Sequence, residues 1–314
     1  MFYYIFRRIL QLIPVVIGIT LITFAVVHLA PGDPVQVIMG QRYDPEVAET
    51  LRKDLGLDKP IVVQYLIFLG NLARGDMGYS YQKRMPVSEL LADKFGNTLY
   101  LTVSAMFLAI FLGMLFGILA SLKPRHMIDY LVMVVAVAGV SIPVFWLGMM
   151  LQLVFGAYLH VLPVSGMSEY GASFLQNLKH LVLPSLTLAT VPMAIIARIT
   201  RSSMLEVMSA DYVRTAKANG LPPRLIIFKH VLRNALIPII TVIGNMFALL
   251  LTGAVLTETV FSWPGMGRAM VDAIAQRDFP VILGGVTIFA FTFVLVNLIV
   301  DLLYAYIDPR VRYT

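Results

Sequence analysis

Apolar residues are concentrated in six long segments that alternate with more polar connections. A helix needs about 20 apolar residues to cross the hydrocarbon core of a bilayer, which is about 30 Å thick. We therefore predict an all-α membrane protein with six transmembrane helices. The predicted spans are Ile9–Ala30, Leu99–Leu122, Tyr130–Leu159, Leu181–Arg201, Leu236–Leu256 and Phe279–Val300.

The third and fourth apolar segments differ from simple straight spans. Tyr130–Leu159 is too long for one straight span and too short for two. Pro143 lies within it, and because proline lacks a backbone N–H and crowds the preceding turn, we expect a kink there. The fourth segment contains Pro184 and Pro192 together with Ser and Thr residues, which predicts a helix packed among other helices.

The positive charges predict an orientation, because Lys and Arg in short connections favour the cytoplasmic side. With a cytoplasmic N-terminus, the two short outer connections hold only Lys179, Arg268 and Arg277. The inner connections and the two ends then hold most of the other Lys and Arg residues. We therefore predict that both termini are cytoplasmic.

This topology divides the chain into three parts. Residues 1–30 form a cytoplasmic tail and the first span, residues 31–98 a large extracytoplasmic insertion, and residues 99–314 a five-helix core with a cytoplasmic loop at 203–235.

Two stretches of the insertion, 44–57 and 85–98, have apolar residues at helical spacing. Either the second stretch lies along the outer membrane surface before the second span, or both stretches simply cap the spans. The pattern leaves both possibilities open.

The stretch "RTAKANGLPPRLIIFKHVLRNALIP", residues 214–238, is basic and helical although it lies between two apolar segments. Gly220 predicts the end of one helix, because glycine takes the left-handed conformation without a side-chain clash. Pro222 and Pro223 suit the first turn of the next helix, where their missing N–H groups cost nothing. Two interpretations remain open: an anchor for anionic lipid headgroups, or a rigid docking element for a cytoplasmic partner.

Composition excludes several functions. The chain is 59% hydrophobic and 13% charged, whereas a soluble domain has about a quarter charged residues. Its net charge of +6 reflects the inner loops, and we predict no nucleic-acid binding. The sequence has no cysteine, no metal-ligand spacing among its histidines and no G-x-x-x-x-G-K-[ST] motif. We therefore predict no catalytic residues, no metal site and no nucleotide bound by this chain.

The segment around the fifth span carries further candidate residues. Trp263, Pro264 and Gly265 lie in a short "WPGMG" loop that predicts an outer gate or docking rim. Glu258, just before it, is a candidate for binding a cationic substrate or a metal, or alternatively a partner for Arg268.

Arg198 and Arg201 end the fourth span. We expect them to anchor the helix end at the interface rather than to contact a substrate.

Together these motifs resemble the permease subunits of bacterial ABC importers, and more narrowly the first permease type of the dipeptide, oligopeptide, glutathione and nickel branch. The similarity extends over the whole chain. It is carried, in order, by "LAPGDPV" (29–35), "GLDKPIVVQY" (56–65), "GDMGYS" (75–80), "SIPVFWLG" (141–148), "DYVRTAKANGL" (211–221), "KHVLRNALIPIIT" (229–241), "FSWPGMGR" (261–268), "RDFPV" (277–281) and "DPRVRY" (308–313).

The family's loop motif begins Glu-Ala-Ala and continues to a Gly and a Leu-Pro pair. The corresponding residues here are Arg214, Thr215, Ala216 and Gly220, followed by Leu232-Arg233. The Glu, one Ala and the Pro are therefore absent. Contacts that other importers make through the acidic residue do not carry over.

The resemblance implies a type I importer permease fold and a loop that docks into a cleft of a cytoplasmic ATPase. The docking candidates are Tyr212, Arg214, Thr215, Ala216 and Gly220. Asn245 becomes a candidate for the translocation pathway, because the fifth span lines it in this family, and Glu258 is a second candidate.

The implied partners are a second, related permease, two ATPase subunits that hold ATP and Mg²⁺, and an extracytoplasmic substrate-binding protein. The implied location is the bacterial cytoplasmic membrane. The implied cargo is a di- or oligopeptide, with nickel, glutathione or an oligosaccharide as alternatives within the family.

The main rival from another class is an ion-coupled secondary transporter. Such a protein needs acidic or His residues in the middle of its spans, and the interiors of these spans lack them. A membrane enzyme would need catalytic pairs or zinc ligands there, and a passive channel would leave the Gly220 loop without a role.

Overall fold

The computed structural model describes residues 2–29, 34–39, 44–54, 56–168 and 171–307. Helices dominate this part of the chain. In order they are α1 (Phe2–Leu29), α2 (Pro34–Met39), α3 (Pro45–Asp54), α4 (Ile61–Ala73), α5 (Val87–Leu122), α6 (Met127–Ser141), α7 (Val144–Leu151), α8 (Phe174–Met208), α9 (Asp211–Ala218), α10 (Pro223–Leu225), α11 (Arg233–Gly253), α12 (Val255–Val260), α13 (Met266–Gln276) and α14 (Phe279–Ile307).

Two π-helical segments and one small hairpin complete the list. The π-helical segments, Gln152–Tyr158 and Ile226–Leu232, follow α7 and α10 without a break. Strands β1 (Tyr79–Ser80) and β2 (Met85–Pro86) pair antiparallel, with Ser80 opposite Met85.

The prediction of an all-α membrane protein is confirmed. Within the described residues, four apolar helices are long enough to span a bilayer, and the bent pair that includes α6 and α7 makes a fifth if it is one span. The first helix adds a shorter apolar stretch, Ile13–Leu29. The count of six spans stays a prediction.

The predicted break at Pro143 is confirmed, and it is a sharp one. Met127–Ser141 and Val144–Tyr158 meet at an angle of 104°. Ile142, the residue before the proline, has φ −79° and ψ 128°. The proline ring disfavours the helical conformation at the preceding residue, and this explains why the helix ends there.

The fourth span is longer than the sequence predicted. Helix α8 runs unbroken from Phe174 to Met208 in spite of its two internal prolines. Ser173 and Gln176 form a reciprocal capping box at its start. Much of the helix is buried against α6, α7 and α11, as the prediction of a helix packed among helices requires.

By its internal contacts the chain divides into two units. The first comprises residues 1–98 and 264–294, and its core joins the start of α5 to α13 and α14 through Val87, Leu91, Met266, Ala273 and Val281. Helix α5 begins at Val87 and continues to Leu122. Residues 87–98 of the predicted stretch 85–98 are therefore the start of this long helix and not a separate surface helix.

The second unit comprises residues 99–263 and 295–314. Its core joins α5, α8 and α11, and two glycines allow a close approach between α5 and α8. A Cβ at Gly117 would lie 2.6 Å from the Ala197 carbonyl oxygen, and one at Gly113 would lie 2.8 Å from that of Met193. Small residues of this kind are typical of closely packed membrane helices.

Candidate functional site

The basic stretch between the fourth and fifth spans forms a short helix, a tight turn and a second helix. Helix α9 begins at Asp211, separated by two residues from the end of α8 at Met208, and stops at Ala218. Gly220 has φ +73°, which confirms its prediction as the helix terminator. Pro222 and Pro223 take the N-cap and first position of α10, close to the places predicted for them.

The end of α9 is closed by a Schellman motif. The Gly220 N–H donates to the Lys217 carbonyl oxygen at 3.0 Å, and the Leu221 N–H donates to that of Ala216 at 3.3 Å. Leu221 also packs against the cluster that contains Ala216, which is the apolar contact that usually accompanies this motif. The turn therefore has a defined geometry.

Helix α9 is seated on its neighbours by one apolar face. Val213 and Ala216 are buried in a cluster with Met204 of α8 and with Ile226, Val231, Ala235 and Ile239, which belong to the π-helical segment and α11. Helix α9 therefore packs directly against α8 and α11, which contain two of the long apolar spans.

The opposite face of α9 is free of protein cover in this chain. Tyr212 is 46% exposed, and Arg214, Thr215 and Lys217 are exposed beside it. Gly220 is exposed at the turn. Arg214 makes an exposed ion pair with Asp211, at 3.5 Å. Four of the five docking candidates therefore share an accessible polar surface.

Ala216 differs from the other docking candidates. It is 7% exposed and packs in the cluster beneath α9. Its position follows from the helical repeat, because residues three apart share a face and Val213 is buried as well. We assign Ala216 to the buried apolar face of α9, which packs on α8 and α11 and is called the seat of α9 below, and not to the accessible surface of the helix.

The "WPGMG" loop is more buried than a rim would require. Trp263 has no exposed surface, and its ring stacks on Tyr100 with centroids 6.3 Å apart. Its backbone N–H donates to the Glu258 carbonyl oxygen at 2.8 Å. Gly265 is also buried, and Pro264 is half-buried. Trp263 is thus packed within the second unit, to which Tyr100 and Glu258 also belong.

The two pathway candidates have different environments. Asn245 is exposed on α11 in this single chain, as a residue that lines a pathway would be. Glu258 is fully buried at the start of α12. Among the described residues, no group of three or more His, Asp and Glu side chains is placed to hold a metal ion.

One polar pair was missed by the sequence reasoning. The Arg201 guanidinium on α8 donates two hydrogen bonds to the Asp129 carboxylate on α6, one of them at 2.7 Å. Asp129 also accepts the Arg125 backbone N–H at 2.9 Å, and Arg125 has φ +62°. An acidic residue in the first turn of an apolar helix was the signal available in the sequence.

Comparisons with known proteins agree on one family. The model of the "binding-protein-dependent transport system inner membrane component" matches residues 85–313. The model of the N-terminal part of such membrane components matches residues 1–102.

Relatives that match over nearly their full length are also named as transport permease proteins. A dipeptide transport system permease protein of Alkalihalophilus pseudofirmus is 46% identical, over 99% of this chain and 99% of the relative. A di/tripeptide transport system permease protein of Pseudomonas aeruginosa is 46% identical, over 99% and 98%. A glutathione transport system permease protein of Escherichia coli is 42% identical, over 99% of each chain.

Solved structures share the fold at low sequence identity. An amino acid ABC transporter crystallised with histidines matches with a TM-score of 0.53 and 16% identity, covering 70% of this chain and 94% of that one. The MetNI methionine ABC transporter matches with a TM-score of 0.54 and 17% identity, covering 70% and 96%. The chain therefore belongs to the inner-membrane components of binding-protein-dependent transport systems, the permease subunits of ABC importers.

Proposed function

We propose that this permease subunit forms half of an inward pathway for di- and oligopeptides and that α9 couples the pathway to a cytoplasmic ATPase. The accessible face of α9, with Tyr212, Arg214, Thr215 and Gly220, is the docking surface. The observation that carries the proposal is its rigid seat, which links a solvent-accessible polar surface to two apolar spans.

The seat also favours docking over the alternative of a lipid anchor. An anchor for lipid headgroups needs cations but no fixed turn. A helix that transmits movement from an ATPase to the spans needs both a turn of defined geometry and an apolar face packed on those spans. The Schellman motif at Gly220 and the cluster under Val213 supply these. Each state of the partner ATPase would then shift the permease between two conformations through different contacts with α9.

The chain supplies the pathway and its partners supply the energy. We propose an assembly with a second, related permease, two ATPase subunits that bind ATP and Mg²⁺, and an extracytoplasmic binding protein. This chain then performs no chemistry. The distribution of Lys and Arg supports cytoplasmic termini and a cytoplasmic α9.

Two relatives are named for di- or tripeptides and one for glutathione. Glutathione is itself a tripeptide, so these names share one chemical class, and they support peptide cargo over nickel or oligosaccharides. We assign Asn245 to the pathway because it is exposed on α11. Trp263, Pro264 and Gly265 form the inner support of an outer gate, since Trp263 is fully buried.

The substitution Gly220→Val tests the coupling role. A Cβ at Gly220 meets nothing within 4 Å, so the substitution strains only the turn, whose φ of +73° disfavours a branched side chain. We expect uptake of a labelled dipeptide to fall at least about tenfold, while the variant still inserts in the membrane and the ATPase subunits still hydrolyse ATP.

Gly75→Val is the matched control. Gly75 has φ +82°, and a Cβ added there also meets nothing within 4 Å, but this glycine lies outside the α9 region. Uptake close to that of the wild type is expected for this variant. If Gly220→Val transports as well as Gly75→Val does, the docking role of the turn is wrong.

A further inference from the structure

Helix α4 is apolar over most of its surface although it lies in the segment between two predicted spans, and its two amide side chains, Gln64 and Asn71, share one face. Its sequence, IVVQYLIFLGNLA, has no charged residue, and none of its residues is buried within the chain. Ile61, Val62 and Leu66 are more than half exposed. Such a large exposed apolar surface needs an apolar environment, which water cannot provide.

Contacts with α1 show where that environment lies. The Tyr65 hydroxyl donates to the Ile17 carbonyl oxygen at 3.0 Å and lies 3.0 Å from the Thr20 hydroxyl. The His28 Nε2 lies 3.1 Å from the Gln64 Oε1. With a rise of 1.5 Å per residue, these contacts cover roughly the last 17 Å of α1. Half of a bilayer core is about 15 Å thick, so α4 lies beside α1 within one leaflet.

A pocket of ≈ 480 Å³ opens between α1, α4 and the start of α14. Phe24, Ile67, Phe68 and Leu283 form its apolar wall. Phe24 and Phe68 are in ring contact, with centroids 6.0 Å apart. This part of the pocket suits a hydrocarbon chain.

The same pocket has a polar side with charges of both signs. Arg52, Arg277, Asp76 and Asp278 line it. Arg277 is exposed, whereas Asp278 is buried and accepts a hydrogen bond from the Ser80 hydroxyl. A phosphate suits the guanidinium groups and a primary ammonium suits the carboxylates.

We propose that this pocket binds one zwitterionic phospholipid from the leaflet at the carboxyl end of α1. Its acyl chain packs against Phe24, Ile67 and Phe68, and its headgroup phosphate meets Arg277. Bound there, the lipid covers α4 and holds it against α1. The assignment depends only on α1 being in the membrane, and it is independent of cargo, orientation and the role of α9.

Native mass spectrometry of the purified, assembled importer tests the proposal, with phosphatidylethanolamine as the added probe. Ile67→Trp fills the pocket, and we expect it to lower the fraction of complexes that retain a phospholipid at least about fivefold. Leu66→Trp is the matched control, because Leu66 is the neighbouring residue on α4, is 60% exposed and does not line the pocket. Retention in this control should equal that of the wild type.

A second pair of variants tests the headgroup site. Arg277→Ala should lower retention, and Arg74→Ala should not, because Arg74 is also exposed but lies outside the pocket. Equal lipid retention in wild type, Ile67→Trp and Arg277→Ala would overturn the proposal.

The other possible occupant is a partner protein. The chain has no cysteine, so Ile67→Cys carries a benzophenone maleimide at one position of this subunit. A photo-adduct with the mass of a phospholipid supports the proposal. An adduct with the second permease or the binding protein in its place would overturn it. Both readouts need neither cargo nor ATP, so a failure here leaves the uptake and docking tests unaffected.

Discussion

Asp129 and Arg201 form a partly buried ion pair although 72 positions separate them in the chain. The side chains are 3% and 26% exposed. Removing one partner of such a pair leaves the other charge without its compensating partner, which destabilises the fold. The pair therefore fixes the start of α6 to α8, a few residues before α8 leads into α9.

Arg201→Ala should lower the melting temperature of the purified importer, because the Asp129 carboxylate stays buried without its partner. Arg198→Ala is the control one turn earlier on the same helix, where the arginine is exposed, and it should change the melting temperature little. The double variant Asp129→Asn with Arg201→Gln should recover much of the loss, since no charge is left buried. Equal melting temperatures for the two single variants would contradict this role.

Predictions for single residues were correct where the local backbone geometry determines the conformation. Gly220, Pro143 and the proline pair at 222–223 act as expected because their conformational limits are local. The sequence alone did not reveal tertiary partners. Arg201 was expected to anchor a helix end, whereas its ion pair with Asp129 depends on how two distant helices pack. The full burial of Trp263 is a tertiary property for the same reason.

For helix α9 as an element, too, some features follow from the local sequence and others depend on tertiary packing. Its existence, its end and its polar character follow from the order of Gly, Pro and charged residues. The face that it turns inward is decided by packing on Met204, Ile226 and Val231, so the assignment of Ala216 required the structure. Helix α5 likewise extends further than hydropathy indicated, since residues 87–98 are helical without being strongly apolar.

The seat of α9 predicts different effects for two alanines of this helix. Ala216→Leu places extra methyl groups in a packed cluster and should destabilise the protein by about 1–3 kcal/mol. Ala218→Leu should have little effect on stability, because Ala218 is exposed. Thermal unfolding of the purified importer measures both. A stability loss in Ala218→Leu that equals the loss in Ala216→Leu would contradict the proposed seat.

For the whole molecule, the fold class followed from hydropathy alone, and the family followed from motifs that occur in order along the chain. The number of spans did not follow. The 104° break between α6 and α7 fits either a broken span or a re-entrant loop, and α4 places apolar surface outside the six predicted spans. Hydropathy measures whether a segment prefers lipid, and it does not determine how deeply that segment enters the bilayer.

We propose that helix α9 lies in the cytoplasm and contacts an ATPase subunit, and a single cysteine tests this directly. In this cysteine-free chain, Thr215→Cys lies on the accessible face of α9, and Lys83→Cys lies in the segment predicted to be outside. In intact cells, a membrane-impermeant maleimide should label the Lys83→Cys variant and not the Thr215→Cys variant.

In membranes that contain the assembled importer, a short cross-linker should join Cys at position 215 to an ATPase subunit, and it should not join Cys at position 83 to one. We expect this cross-link to be present before nucleotide is added. Labelling of position 215 from outside the cell, together with the absence of any ATPase adduct, would contradict the coupling role of α9.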